Sequence, residues 1–135
     1  MNEELVHQGI YDLLTSEDAP ARISELVGDR IYPIEADEGA DNPYLAYSLL
    51  TEDFTTTKDG PVPNGWVFQV SAYADRALTA NRLANSIRKA IDFKTIDLVE
   101  FGTLRFRATD RADQPFDPEK QLFETVLEFR ARKIA

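Results

Sequence analysis

Apolar residues near the N-terminus recur at three- and four-residue spacing, which predicts a helix with one buried stripe. Asn2 followed by two glutamates is typical of a helix start, because a cap residue and first-turn acids stabilise the free N–H groups there. We predict this helix from about residue 3 to residue 14. Pro20 suits the first position of a short second helix, which Gly28 ends. The stripe of the first helix consists of Leu5, Val6, Gly9, Ile10, Leu13 and Leu14.

After the second helix, the spacing of apolar residues changes from the helical period to a pattern typical of strands. Residues 31–34 are rich in β-forming residues but contain Pro33, which predicts a short strand at a sheet edge or an irregular strand. Residues 44–50 have two apolar faces, and residues 66–73 alternate between apolar and more polar positions, so each predicts a strand. Between them, residues 51–65 hold three successive threonines and several Gly and Pro residues without a clear period. We predict a projecting loop there that is poorly ordered in an isolated subunit.

The second half of the chain contains the longest predicted helix and two more strands. The helix begins at Asp75, and its alanines allow close packing on a sheet. A strand is predicted over residues 96–108, a polar loop over 109–120, and a last strand over 122–133 in which apolar and charged residues alternate. The apolar stripe of the helix consists of Ala80, Leu83, Ala84, Ile87 and Ile91.

We predict an α+β fold with the element order α-α-β-β-β-α-β-β, in which the helices pack on a mainly antiparallel sheet. A chain of 135 residues is long enough for one domain with a core and too short for two, so residues 1–135 are expected to form a single domain. The predicted core consists of Leu5, Ile10, Leu13, Phe68, Val70, Leu83, Ile87, Leu127 and Phe129.

The composition excludes many catalytic and metal-binding arrangements. The chain contains no cysteine, which excludes disulfides, thiolate nucleophiles and cysteine-bearing zinc sites. His7 is the only histidine, and no recognisable motif makes it a catalytic base, so we interpret it as structural. Asp37, Glu38 and Asp41 lack the twelve-residue pattern of a calcium loop, so we expect no metal and no cofactor.

Charge is unevenly distributed along the chain. Residues 1–60 carry fourteen acids and three bases, a net charge of −11, while residues 61–135 carry ten acids and twelve bases, a net charge of +2. One face or end of the folded chain is therefore expected to be strongly acidic. The total of −9 argues against binding of nucleic-acid phosphates, which needs clustered Lys and Arg. The N-terminus has no signal-peptide pattern and no segment approaches the ~18 apolar residues of a membrane helix, so we expect a cytosolic protein.

Three segments resemble a known family in their order and spacing. They read Val27-Gly28-Asp29-Arg30-Ile31-Tyr32-Pro33, then Asn42-Pro43-Tyr44-Leu45-Ala46-Tyr47, then Phe68-Gln69-Val70-Ser71-Ala72-Tyr73-Ala74-Asp75. Together with the last strand they resemble the small tail completion proteins of long-tailed bacteriophages and prophages, the group of tail terminators and head-to-tail joining proteins.

The resemblance implies a non-enzymatic structural protein with an α+β fold and no catalytic residues. It implies a ring, usually a hexamer, on the head-proximal end of the tail tube. The implied partners are further copies of the chain, the tail tube protein and the head connector proteins, while DNA passes through the ring without specific binding. The implied location is the host cytoplasm during assembly and then the virion.

A ring requires two different patches on each subunit that meet across a heterologous interface. We predict that arginines on the two last strands form one patch, and that acids of a neighbour's first half approach them. The alternative is that these arginines pair with Glu124 and Glu128 of the same chain. The candidate interface residues are Asp37, Glu38, Asp41, Lys58, Asp59, Arg105, Arg107, Arg130 and Arg132.

Two other functions are compatible with the residues. One is a small acidic α+β enzyme that works through Glu35 or Asp37 in a cleft at the sheet edge, which would need a concave pocket with convergent polar groups. The other is a monomeric adaptor that binds one partner through the 51–65 loop.

Overall fold

The computed structural model describes residues 2–34, 36, 39–98 and 102–134. Helices and strands follow one another in the predicted order, except that the strand predicted over residues 96–108 is divided in two. The elements are α1 (Asn2–Thr15), α2 (Ala21–Val27), β1 (Ile31–Pro33), β2 (Tyr44–Thr57), β3 (Gly60–Ala74), α3 (Ala77–Ile91), β4 (Thr95–Leu98), β5 (Gly102–Asp113) and β6 (Phe123–Lys133).

In the described part of the chain, the strands form one sheet in the order β1-β2-β3-β6-β5-β4. β1 runs parallel to β2, and each of the other neighbouring pairs is antiparallel. The predicted α+β class with a mainly antiparallel sheet is therefore confirmed, as is the edge position of the strand that contains Pro33.

The helices cover one face of the sheet because each has one apolar stripe. α3 lies across β3 and β6, and its predicted stripe is buried. On the sheet side, Phe68 stacks on Phe129 with ring centroids 5.4 Å apart and meets Phe106 edge to face at 5.5 Å. The alternation predicted for β6 has the correct phase, since Thr125, Leu127, Phe129 and Ala131 are all buried.

The core prediction is wrong for one residue. Leu5 is 38% exposed, while its neighbour Val6 is fully buried. The buried stripe of α1 runs through Val6, Ile10 and Leu14, so Leu5 lies at its margin, facing a groove beside Ile96 of β4. The other predicted members are buried, apart from the partly buried Leu13, which packs against them.

The predicted loop over residues 51–65 is also wrong, because this segment forms a β-hairpin. β2 continues to Thr57 and β3 starts at Gly60, with Thr57 paired to Gly60 across a two-residue turn. β3 begins to pair with β6 only at Gly65, so residues 54–63 pair with one another and extend beyond the rest of the sheet. We call residues 54–63 the arm; its four residue pairs and the two-residue turn make it about 17 Å long.

The predicted strand over residues 96–108 is two antiparallel strands, β4 and β5, in which Leu98 pairs with Gly102. β5 continues to Asp113, which shortens the polar loop predicted over residues 109–120. Among the described residues, no helix combines the length and apolar character needed to cross a membrane.

Candidate assembly surface

Four arginines form a compact basic patch on the sheet face that the helices leave uncovered. Arg105 pairs across the strands with Arg132, and Arg107 pairs with Arg130. Their sequence neighbours on β5 and β6, such as Phe106 and Ala131, are fully buried on the helix side, so the arginines point to the other side. Directly opposite residues lie about 5 Å apart, and residues two apart on a strand lie about 7 Å apart. We call these four residues the arginine face.

Two members of the arginine face have contacts within the chain. The Arg107 Nε lies 3.7 Å from Asp92 Oδ1, and its guanidinium carbon lies 4.4 Å from the centroid of the Phe93 ring. Asp92 also accepts a hydrogen bond from the Ala108 N–H at 2.9 Å, which attaches the end of α3 to β5. Arg130 is half-buried and has its own interaction partner.

The other two members, Arg105 and Arg132, are exposed and form no ion pair with the described residues. Within the described residues, no carboxylate lies within 4.0 Å of either guanidinium. Glu124 is out of reach, because eight residues of β6, about 27 Å, separate it from Arg132. Glu128 accepts a hydrogen bond from the Thr109 hydroxyl at 3.1 Å.

The other predicted interface residues lie elsewhere. Lys58 and Asp59 form the turn at the tip of the arm, and both are exposed. Asp41 is exposed just before β2, at the level of Tyr73, whereas Arg132 pairs with Gly65 about 27 Å further along β3. The chain therefore does not bring Asp41 to its own arginine face. Asp37 and Glu38 lie outside the described residues, as does Glu35, the other acid considered for an enzyme site.

The arm is the structural feature that the sequence interpretation missed. Signals for it were present, because Asp59-Gly60 is a common turn pair and the threonines before it favour strands. At its base, Gly65 packs so tightly on β6 that a β-carbon there would collide with the Ala131 carbonyl oxygen. A glycine is therefore needed where the arm leaves the sheet.

Among the described residues, the side chains that could take part in catalysis or metal binding lie apart from one another or already contact other residues of the chain. A groove of about 310 Å³ at the far end of the same sheet face contains Tyr73, Lys120 and Glu124. Burial, and next the charge of Glu124, raise the pKa of Tyr73 above its ordinary value of 10.0, so its hydroxyl stays protonated and hydrogen-bonded to Glu124. His7 is half-buried against the Tyr47 ring. Among the described residues no three His, Cys, Asp or Glu side chains group as metal ligands.

Comparisons with known proteins agree with the architecture. The family model described as tail completion protein gp17 matches residues 9–133. A solved chain from the virion of a native gene transfer agent particle has a TM-score of 0.62 and 24% sequence identity, over 91% of this chain and 90% of that one. A second solved chain has a TM-score of 0.59 at 15% identity, over 98% of this chain and 97% of that one. At these identities the two structures show a shared fold. No curated protein sequence matches the chain.

Proposed function

The chain belongs to the tail completion protein gp17 family, and we propose that it forms a ring at the head-proximal end of the tail tube. There it would terminate the tail and join it to the head connector. The observation that carries this proposal is the family match over residues 9–133, nearly the whole chain. Membership makes the protein a structural, non-enzymatic component of a phage-like tail. The fold shared with a chain of a gene transfer agent virion supports a place in the assembled particle.

The geometry suits the subunit of a ring. A closed ring needs two different patches on each subunit. The arginine face offers one compact patch of positive charge, and the exposed acids among the described residues of the first half of the chain offer the opposite charge. Such charge pairs steer association and fix its register.

The arm suits contact with the next component along the tail axis. It extends about 17 Å beyond the paired sheet and carries Lys58 and Asp59 at its tip. A two-stranded hairpin has little to bury by itself, so it gains most by adding its surface to a partner. We therefore assign the Lys58-Asp59 turn to the tail tube protein or the head connector.

The acidity of the chain suits DNA passage. Six copies at −9 each carry a net charge of −54. A negatively charged passage repels phosphates, so DNA crosses without being held. The same proposal has the protein in the host cytoplasm during assembly and in the virion afterwards.

Particles assembled without this chain test the function directly. We expect filled heads and unjoined tails, and we expect purified protein added to them to restore complete particles. A matched control is a variant with Leu78, an exposed residue of α3, changed to Ala, which should restore joining as well as the natural chain does. Joined, infectious or transfer-competent particles formed without the chain would overturn the proposal.

A further inference from the structure

A second charged surface lies on the helix side of the molecule. Exposed acids lie along α1, along α2 and in the turns after these helices. Arg22 is the only exposed base among the described residues from 4 to 29. Arg30, the next base, is half-buried and donates hydrogen bonds to the Leu26 and Pro43 carbonyls at 2.8 and 3.0 Å. We call this the acidic helix surface; it consists of Glu4, Asp12, Glu17, Asp18, Glu25 and Asp29.

The placement of these acids is unfavourable within one chain. Neither α1 nor α2 has a base in its last turn; Glu17 lies two residues after the end of α1, and Glu25 lies in the last turn of α2. The free carbonyl groups of a helix C-terminus carry negative partial charge, which repels acids. None of the six carboxylates lies within 4.0 Å of a basic side chain of the described residues. The surface therefore has a concentrated negative potential that a basic partner would relieve.

The arginine face concentrates positive charge, which is also unfavourable within one chain. Like charges placed directly opposite each other across two strands destabilise a sheet. The two patches cannot compensate each other inside one chain, because the helices cover one face of the sheet and the arginines occupy the other. Arg107 is compensated by Asp92, so the uncompensated charge is that of the opposed pair Arg105 and Arg132. Departures from local rules of this kind are typical of functional surfaces.

We propose that the arginine face of one copy binds the acidic helix surface of the next copy. This deepens the proposed ring and rests on it, because it names which two patches of the subunit meet. The two patches are different and lie on opposite sides of the sheet, so the contact is heterologous, as a ring requires. A second copy is favoured over DNA because the chain carries a net charge of −9 and its four arginines cover only a small area.

Reciprocal charge reversal tests the pairing in the full-length protein. Variant one is R105E with R132E, variant two is E17K with E25K, and variant three combines all four changes. The lysines in variant two lie in the last turn of α2 and just after the end of α1, where positive charge favours the helix, so the fold is expected to survive. Self-association is measured by sedimentation equilibrium at low ionic strength, where charge pairs act most strongly.

We expect variants one and two each to weaken self-association at least tenfold, and variant three to recover it to within about threefold of the natural chain. An equimolar mixture of variants one and two should associate, because each supplies the patch that the other has lost. R76E with R82E is the matched control for variant one: it reverses two exposed arginines, one at the N-cap of α3 and one within α3, makes the same change in net charge and should leave association unchanged. D75K with E119K, added to variant one, restores the net charge elsewhere and should fail to rescue it.

The outcomes are distinguishable. Failure of variant three to rescue, or a natural chain that stays monomeric at every concentration, overturns the pairing. Loss of duplex DNA binding in variant one, with unchanged self-association, assigns the arginine face to nucleic acid instead and also overturns it. Failure of rescue leaves the tail-completion function untouched, since that is tested by the joining of heads and tails.

Discussion

Arg105 lies directly opposite Arg132 in the antiparallel pair of β5 and β6. Both side chains are exposed, and among the described residues neither has a carboxylate within 4.0 Å. Like charges placed directly opposite each other across two strands destabilise a sheet unless a counter-charge lies nearby. This pair therefore connects the fold to the proposed assembly of the chain.

Neutralising one member of the pair should stabilise the isolated subunit. We expect Arg132→Gln to raise the free energy of unfolding by about 0.2–1 kcal/mol, because it removes the cross-strand repulsion. Arg107→Gln is the matched comparison and should lower it by about 0.5–1 kcal/mol, since it removes the contacts with Asp92 and Phe93. Urea denaturation of dilute protein measures both changes. A destabilising Arg132→Gln would show that Arg132 has a favourable role within the subunit.

The core prediction rests on Leu127, which is 1% exposed in the middle of β6. We expect Leu127→Ala to lower the free energy of unfolding by about 2–5 kcal/mol, through lost burial and the cavity left behind. Leu78→Ala, on the exposed side of α3, should change it by less than about 0.5 kcal/mol. A loss below about 0.5 kcal/mol for Leu127→Ala would contradict the assignment of this residue to the core face.

Much of this fold follows from the sequence because its periodic segments are unambiguous. The alternation in β6 and the stripe of α3 place Phe129 and Ile87 correctly in the core. The arm was not predicted because Pro61 and Pro63 suggest a loop. In the described structure this part of β3 pairs with β2 alone, and a strand at a sheet edge tolerates the N–H groups that proline lacks.

The candidate surface was predictable in composition but not in arrangement. Alternate spacing on two paired strands placed the four arginines on one face. Their direct opposition depends on register, which an extra residue at Thr109 shifts between Ala108 and Asp110. The separation of Asp41 from Arg132 likewise follows from the pairing of β2, β3 and β6, and no local pattern encodes it.

Gly65 should be more sensitive to substitution by alanine than Gly9. We expect Gly65→Ala to cost about 1–3 kcal/mol, because its β-carbon meets the Ala131 backbone carbonyl, which cannot move without disturbing β6. Gly9→Ala in α1 is the matched comparison. Its β-carbon meets the end of the flexible Ile96 side chain, and alanine favours the helix, so the loss should be smaller. Thermal unfolding of the two variants ranks them, and a larger loss for Gly9→Ala would contradict the packing described at the base of the arm.

Tyr73 should make stability fall at alkaline pH. Burial, and next Glu124, raise its pKa in the folded state, so the folded chain holds this proton more tightly than the unfolded chain does. The resulting stabilisation is complete below the unfolded pKa near 10 and is lost progressively as the pH rises above it. We expect Tyr73→Phe to reduce the slope of unfolding free energy against pH between about pH 9.5 and 11. Equal slopes for the two proteins would show that Tyr73 does not titrate differently in the folded state.

The position of the chain in the finished particle tests the central claim most directly. Cryo-electron microscopy of complete particles measures it, at a resolution sufficient to place β-strands. The proposed function predicts a closed ring of this chain between the last ring of the tail tube and the head connector. A chain located at the distal end of the tail, bound as single copies, or absent from the particle would contradict it.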